Sequence, residues 1–153
     1  MQFFLTSPDY NKTQTNVTKV RVSLRTGIAE ILENHQNLMG KVENNVVEIE
    51  TNFDGRTEKL LFVLQDGVFM VSNDGFTESE PEETEGGSAV YIYASRAVEI
   101  NSSTSIDDLA KEEDQKRQIL ETELAETTDN NRSKILMMEG DLVFLEKAIA
   151  SVK

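Results

Sequence analysis

The sequence contains no cysteine and no tryptophan, and it has only two prolines and one histidine among 153 residues. Without cysteine, the chain forms no disulfide bonds and offers no thiolate ligands to a metal. No apolar run approaches the ~20 residues that a membrane-spanning helix requires, and Met1–Leu5 lacks the basic start of a secretory signal. These absences predict a soluble, non-secreted globular protein.

Basic residues are also scarce, since 15 lysines and arginines face 28 aspartates and glutamates, for a net charge of −13. Such a charge disfavours nucleic acid and anionic lipid as direct partners, because both would be repelled. Six of the acids lie between Asn73 and Ser88 without a single base: Asp74, Glu78, Glu80, Glu82, Glu83 and Glu85. This acidic segment is interpreted as a solvated insertion. A calcium site is the weaker alternative, because the segment lacks the spacing of an EF-hand loop.

The stretch Lys19–Glu50 organises the first part of the chain. Its residues Val20, Val22 and Leu24 alternate with polar ones, which is the period of a half-buried strand. Extended chain resumes at Val46. Between the two strands we expect a compact, irregular loop that contains the only histidine, with turns at Gly40 and at Asn44 and Asn45.

Further strands are predicted at intervals of about ten residues. They are Phe3–Leu5, Leu60–Leu64, Val68–Val71 and Ala89–Ala94, with Val98–Ile100 as an extension of the last. Tight hairpins are predicted at Asp54–Gly55 and at Gln65–Gly67, because Asp-Gly is a strong hairpin signal. Asn11–Asn16 is interpreted as a polar connection. This pattern predicts an antiparallel β-sandwich over residues 1–101, with the acidic insertion at about 73–88.

The pattern becomes helical after Asn101. Ser105 followed by Asp108 fits the start of a helix over about 106–126, and a second helix is predicted over about 132–152. The two form an antiparallel αα-hairpin, residues 102–153, so the fold class is α+β. Apolar residues of the second helix recur with the spacing of a helix–helix seam: Ile135, Met138, Leu142, Leu145, Ile149 and Val152. Gly140 is either tolerated within this helix or marks the close approach of another backbone.

No catalytic constellation is visible in the sequence. His35 has no second histidine or cysteine with which to bind a metal, and no serine or aspartate at triad spacing. It is interpreted as a hydrogen-bonded loop histidine or, alternatively, as a contact residue at a protein interface. The glycines form no phosphate-binding pattern. We therefore expect no catalytic residue, no metal and no cofactor.

Several segments, in this order, resemble the epsilon subunit of F-type ATP synthases, which corresponds to the mitochondrial delta subunit. The resemblance covers the whole length of the chain and rests on five short segments. They are Ser7-Pro8 after the first strand, Thr26–His35 (family xGxxGILPNH), Val46–Ile49 (GxLxI), Gly67–Phe69 (GGF) and Val90–Ala94 (VTILA). The chain departs from the pattern at Glu30 and Glu33, where the family has glycine and proline.

The resemblance implies a non-catalytic rotor subunit in the central stalk of an F-type rotary ATPase. It implies a peripheral position on the cytoplasmic, matrix or stromal face of an energy-transducing membrane. The implied partners are the gamma subunit, the c-ring and, transiently, the catalytic subunits, with Glu33, Asn34, His35 and Leu38 as contact residues. The resemblance also implies that the C-terminal hairpin regulates ATP hydrolysis. The family's ATP-binding motif I-D-x-x-R-A is matched only in part, by Ile106, Asp107 and Lys111, so nucleotide binding is not expected.

Two alternatives remain open at this point. One is a subunit of a specialised F-type-like motor that does not serve ATP synthesis. The other is a free-standing adaptor or chaperone-like module whose β part and hairpin bind a soluble client.

Overall fold

A computed structural model describes residues 1–73, 87–126, 128 and 131–152. In these residues eight strands precede two helices. The strands are β1 (Gln2–Thr6), β2 (Asn11–Gln14), β3 (Val17–Leu24), β4 (Gly27–Leu32), β5 (Leu38–Val42), β6 (Asn45–Phe53), β7 (Arg56–Ser72) and β8 (Ala89–Ile100), and the helices are α1 (Ile106–Ala125) and α2 (Arg132–Val152). Residues 74–86, most of the predicted acidic insertion, lie outside the described part of the chain.

The strands pair in the order β2-β1-β8-β7-β6-β3-β4, and β5 pairs with the second half of β7. All pairs are antiparallel except β1 with β8. The sheet folds over on itself, as one ring pair demonstrates. Phe3 and Val71 both pair with Val90 of β8, on its two sides, so the three residues form one row. The ring of Phe3 nevertheless stacks on Phe62, with 5.8 Å between the centroids. Nine residues of flat strand would separate Phe62 from Val71 by ~30 Å.

Two layers therefore enclose one core, and the predicted β-sandwich with a following helical hairpin is confirmed. The inner faces of both layers contribute fully buried side chains to a single cluster, among them Phe3, Val20, Ile49, Phe62 and Phe69.

The chain is kinked between the layers at Asn44, in the connection from β5 to β6, and at Asp66, within β7, whose φ angles are 42° and 48°. The register of β7 with its neighbours is the same on both sides of the kink, since Asn45 pairs with Leu64 and Val42 with Gly67. Left-handed backbone is tolerated best by Asn, Asp and Gly. Asp66 therefore redirects β7 without ending its pairing, and Asn44 redirects the short connection between β5 and β6.

The hairpin predicted at Gln65–Gly67 is therefore wrong, whereas the one at Asp54–Gly55 is confirmed. A two-residue hairpin loop of the favoured type needs positive φ at both central residues. Asp54 and Gly55 meet this requirement, with φ of 49° and 76°, but at the second site only Asp66 does. β7 consequently runs through as one strand of 17 residues.

Three further expectations are corrected. The predicted irregular loop between Leu24 and Asn45 contains the strands β4 and β5, and the polar connection Asn11–Asn16 contains β2. Gly40 is not a turn residue but lies within β5. A Cβ at this position would lie 2.5 Å from Cε1 of Phe69, so the glycine makes room for a buried ring.

The hairpin begins as predicted, since the Ser105 side chain accepts a hydrogen bond from the Asp108 amide. The predicted seam of α2 is shared between two contacts. Its first half packs on Leu120 of α1, and its second half packs on the sandwich together with two residues absent from the predicted seam, Phe144 and Ala148.

Two glycine-to-alanine substitutions should change stability in opposite directions. Gly40→Ala forces the buried Phe69 ring to move, so we expect a loss of about 1–3 kcal/mol. Gly140→Ala places its Cβ at an ordinary 3.9 Å from Nε2 of Gln65, so we expect a gain of about 0.5–1 kcal/mol from helix propensity. Denaturant unfolding of the two variants beside the parent measures both. A loss of stability in Gly140→Ala would contradict the free space seen at this position.

Candidate functional site

The turn that joins β4 to β5, residues Glu33 to Asn37, contains three of the four predicted contact residues, and the fourth, Leu38, begins β5. Glu33, Asn34 and Leu38 are exposed, and His35 is half-buried. The backbone of Asn34 is left-handed, with φ of 63°. His35 Nδ1 lies 2.7 Å from the carbonyl oxygen of Gln36. His35 is thus hydrogen-bonded within the turn, and its role as a partner contact stays a prediction.

Hydrogen bonds tie this turn to both flanks of the acidic segment. The Ser88 hydroxyl accepts from the Asn34 amide (2.8 Å) and donates to Asn73 Oδ1 (2.7 Å). The Ser88 amide donates to Glu33 Oε1 at 3.1 Å. Glu33 Oε2 also lies 2.6 Å from the backbone nitrogen of Met1. The contact with the Met1 amino group lowers the pKa of Glu33, and the Ser88 amide contributes.

An apolar surface covers the outside of the layer formed by β5, β7, β8 and β1. Strand register places Met39, Met70, Tyr91 and Phe4 in one row, and Val68 and Tyr93 in the next. Phe4 stacks on Tyr91 with 5.0 Å between centroids, while Met39 is 73% and Tyr93 53% exposed. We call these six residues the outer face.

Sequence reasoning did not identify the outer face. The available signal was the absence of polar residues in the alternate positions of β7 and β8. There Val68 and Met70 flank the buried Phe69, and Tyr91 and Tyr93 flank the buried Ile92. Apolar side chains on both sides of a strand indicate that a second surface, besides the core, is available for contact.

The outside of the other layer is also apolar, but the hairpin covers it. Val46, Val63 and Val98 lie side by side on β6, β7 and β8. Phe144, Leu145 and Ala148 of α2 pack on this row and have no exposed surface, and Leu109 of α1 joins them. One outside surface of the sandwich is therefore buried within the chain, whereas the outer face stays exposed.

A polar clamp orients the hairpin on the sandwich. The guanidinium of Arg96 in β8 donates two hydrogen bonds to Glu112 of α1, at 2.7 and 2.9 Å, and lies over the ring of Phe144, 4.9 Å from its centroid. Asp141 of α2 accepts from Gln65 at 2.6 Å and from Lys116 at 2.8 Å. Each of the three elements is thereby joined to the other two.

The clamp shifts the acidity of both carboxylates. The hydrogen bond from Arg96 lowers the pKa of Glu112, outweighing the opposite effect of burial. Burial would raise the pKa of Asp141, but hydrogen bonds from Gln65 and Lys116 bring it below its usual range. Both side chains are therefore anionic in the docked hairpin at neutral pH.

The remaining predicted residues lie at the start of α1. Asp107 and Lys111 are exposed there and Ile106 is half-buried. Within the described residues no three His, Asp or Glu side chains are grouped closely enough to hold a metal ion. Neither described helix is long and apolar enough to cross a bilayer.

The geometry defines a class of protein, a β-sandwich with one outside surface covered by its own C-terminal helical hairpin. No family model matches the chain, and comparison with curated proteins gave no match. Solved structures do match. The chain is similar to a chain in the cryo-EM structure of the Euglena gracilis mitochondrial ATP synthase, OSCP/F1/c-ring in rotational state 1. The TM-score is 0.63 at 17% identity, over 99% of this chain and 80% of that one.

A second similarity is to a chain in the structure of the central stalk and c-ring of the Tetrahymena thermophila mitochondrial ATP synthase. Here the TM-score is 0.45 at 9% identity, over 64% of this chain and 65% of that one. At 17% identity the similarity to the Euglena chain shows the fold alone.

Arg96→Gln should make the stability of the protein less dependent on pH. The stabilisation that comes from the lowered pKa of Glu112 is fully present above the pKa of an unfolded-state glutamate, about 4.3. It is lost as the pH falls through the lower pKa of the folded state. Because both partners are partly exposed, we expect the variant to lose about 1 kcal/mol at pH 7.

Thermal unfolding between pH 7 and pH 3 measures this effect. The difference between parent and variant should shrink towards the acid end, leaving an offset from the lost stacking on Phe144. Arg21→Gln, which removes a more exposed ion pair with Glu30, serves as the control with a smaller effect. A difference that is constant across the pH range would contradict the assignment to Glu112.

Proposed function

We propose that this protein is an epsilon-type, non-catalytic subunit in the central stalk of an F-type rotary ATPase. The observation that carries the proposal is the likeness to a chain of the Euglena ATP synthase structure over 99% of the residues. Sandwich and hairpin are thus both included in the similarity. The motifs between Ser7 and Ala94, which follow one another in the same order as in the family, support the same family. The two units would be the sandwich, 1–101, and the hairpin, 102–153.

The outer face is the surface proposed to bind gamma. Monomeric proteins rarely leave a contiguous apolar surface uncovered, and such surfaces mark interaction sites. Phe4, Tyr91 and Tyr93 contribute aromatic rings, which are enriched at the centres of protein interfaces. Across the rows of the outer face, the strand register adds only one charged side chain, Lys41 beside Val68.

The turn with Glu33, Asn34 and His35, together with Leu38, is proposed to rest on the c-ring. Glu33, Asn34 and Leu38 are exposed and His35 is half-buried. Hydrogen bonds with Ser88 support the Asn34 backbone and the Glu33 side chain. The protein would then lie peripherally at an energy-transducing membrane, attached through other proteins. Its negative charge fits attachment to proteins better than to anionic lipid.

The hairpin is proposed to regulate ATP hydrolysis by leaving the sandwich and contacting the catalytic subunits. In the docked position Phe144, Leu145 and Ala148 are fully buried and the clamp around Arg96 is closed. Release would expose these three side chains and would break the two hydrogen bonds from Arg96 to Glu112. Regulation would therefore depend on a partner that provides equivalent contacts for α2.

Two exposed methionines provide a matched test of gamma binding. Met39 on the outer face and Met137 on α2 are 73% and 72% exposed, so replacing either by glutamate should leave the fold intact. Met39→Glu introduces a charge into the proposed interface and should weaken binding at least about tenfold. Met137→Glu should bind like the parent. Isothermal titration with purified gamma measures both affinities.

Native co-elution tests the proposal as a whole. A stalk subunit should elute from a size-exclusion column, loaded with native extract, together with an ATPase of several hundred kilodaltons. An antibody against the chain detects it in the fractions. Elution at a small size, with no binding of gamma to the parent chain, would overturn the proposal in favour of a free-standing adaptor. Elution with an ATPase that lacks a c-ring would favour a specialised motor.

A further inference from the structure

We propose that Ser88 and Asn73, the residues that flank the acidic segment, position the turn Glu33 to Asn37 for its partner. They act through hydrogen bonds to that turn and do not contact the partner themselves. The inference rests on the proposed function for the identity of the partner, the c-ring. It assigns a role to the flanks of the acidic segment, independent of the acids within it.

Ser88 is the central residue of this arrangement. It is only 2% exposed, and its hydroxyl links Asn34 to Asn73 through the two hydrogen bonds given above. Its amide binds the carboxylate of Glu33. A buried hydroxyl that both accepts and donates leaves two groups without partners when it is removed. Those groups are the Asn34 amide and the Asn73 amide oxygen.

Asn73 binds the other half of the turn. Its backbone amide donates to Asn37 Oδ1 at 3.0 Å, and its side-chain amide donates to the carbonyl oxygen of His35. Ser88 and Asn73 together therefore bind four of the five residues of the turn, namely Glu33, Asn34, His35 and Asn37. Three of the four are predicted partner contacts.

The conformation of the turn requires such support. Asn34 adopts a left-handed backbone at φ 63°, which is less favourable for a residue with a side chain than for glycine. At the preceding position Glu33 stands where the family resemblance expects proline, so the backbone is not restrained by a pyrrolidine ring. In this chain the restraint comes from the carboxylate of Glu33, which the Ser88 amide and the Met1 amino group both hold.

The hydrogen bond between Ser88 and Asn73 also joins the two ends of residues 74–87. The hydrogen bonds that support the turn therefore come from Asn73 and Ser88, which are bonded to each other, and they do not depend on the length or charge of the residues between these two. This separates two explanations of the acidic segment. If its charges create the contact, their neutralisation should abolish binding, whereas on our proposal only changes at its base do so.

The experiment compares five variants of the full-length chain. Ser88→Ala removes the hydroxyl, and Ser88→Thr retains it. Asn37→Ala removes one acceptor from an exposed side chain and is expected to fold even if Ser88→Ala does not. Ser95→Ala is the matched control, because it removes a β8 serine hydroxyl that donates to Gln65 at the other end of the layer. The fifth variant replaces the six acids of the segment by their amides.

Amide hydrogen exchange on the isolated chain gives the first readout. Exchange at Asn34 should accelerate about tenfold or more in Ser88→Ala, and that at Asn73 should accelerate in Asn37→Ala, since each amide loses its acceptor. Ser88→Thr and Ser95→Ala should match the parent at both positions. Unchanged exchange at Asn34 in Ser88→Ala, or at Asn73 in Asn37→Ala if the former variant does not fold, would overturn the proposal.

Binding to a reconstituted complex of gamma and c-ring gives the second readout. Ser88→Ala and Asn37→Ala should bind about five- to tenfold more weakly than the parent. Ser88→Thr should bind with the affinity of the parent, and the variant with the amide-substituted segment should bind within about twofold of it. Accelerated exchange with unchanged binding would overturn the positioning role. A parent chain that fails to bind the complex refutes the proposed function instead, and the exchange data still decide whether Ser88 and Asn73 hold the turn.

Discussion

The kink at Asn44 and Asp66 is the constraint on which the rest of the structure depends. At Asp66 it allows β7 to pass from one layer to the other without losing its pairing with β8, so both layers share the same two strands. These strands are apolar on both sides over much of their length. The inner sides form the core, and the outer sides must be covered by something else. A continuous strand therefore creates two apolar surfaces outside the core.

The chain covers one of these surfaces itself. The row of Val46, Val63 and Val98 is buried by α2, and the clamp around Arg96 determines how the helix lies on it. Apolar packing has little directional preference, whereas a bidentate guanidinium–carboxylate pair restricts both distance and angle. Burial therefore stabilises the docked hairpin, and Arg96 with Glu112 specifies its orientation. The outer face has no corresponding helix in the described part of the chain, which is the physical reason for proposing it as a partner surface.

Much of this fold could be predicted because its signals are local. The Ser105 cap, the Asp54–Gly55 loop and the spacing of α2 each depend on residues a few positions apart, and the structure contains all three. The same reasoning failed at Gln65–Gly67, where pairing with strands on both sides decides the outcome. The support of the turn could not be predicted either, since Ser88 lies 54 positions from Asn34 in the sequence.

The proposed contacts of the turn and of the outer face are joined by one strand. The turn ends at Asn37, β5 begins at Leu38, and Met39 is already part of the outer face. Five register pairs hold β5 to β7, so the two surfaces cannot move independently without breaking a paired strand. A subunit that links two rotating parts must transmit torque without deforming between its contacts. A paired strand that contains residues of both proposed contacts, Leu38 and Met39, would fulfil that requirement, whereas a flexible connection would dissipate the rotation.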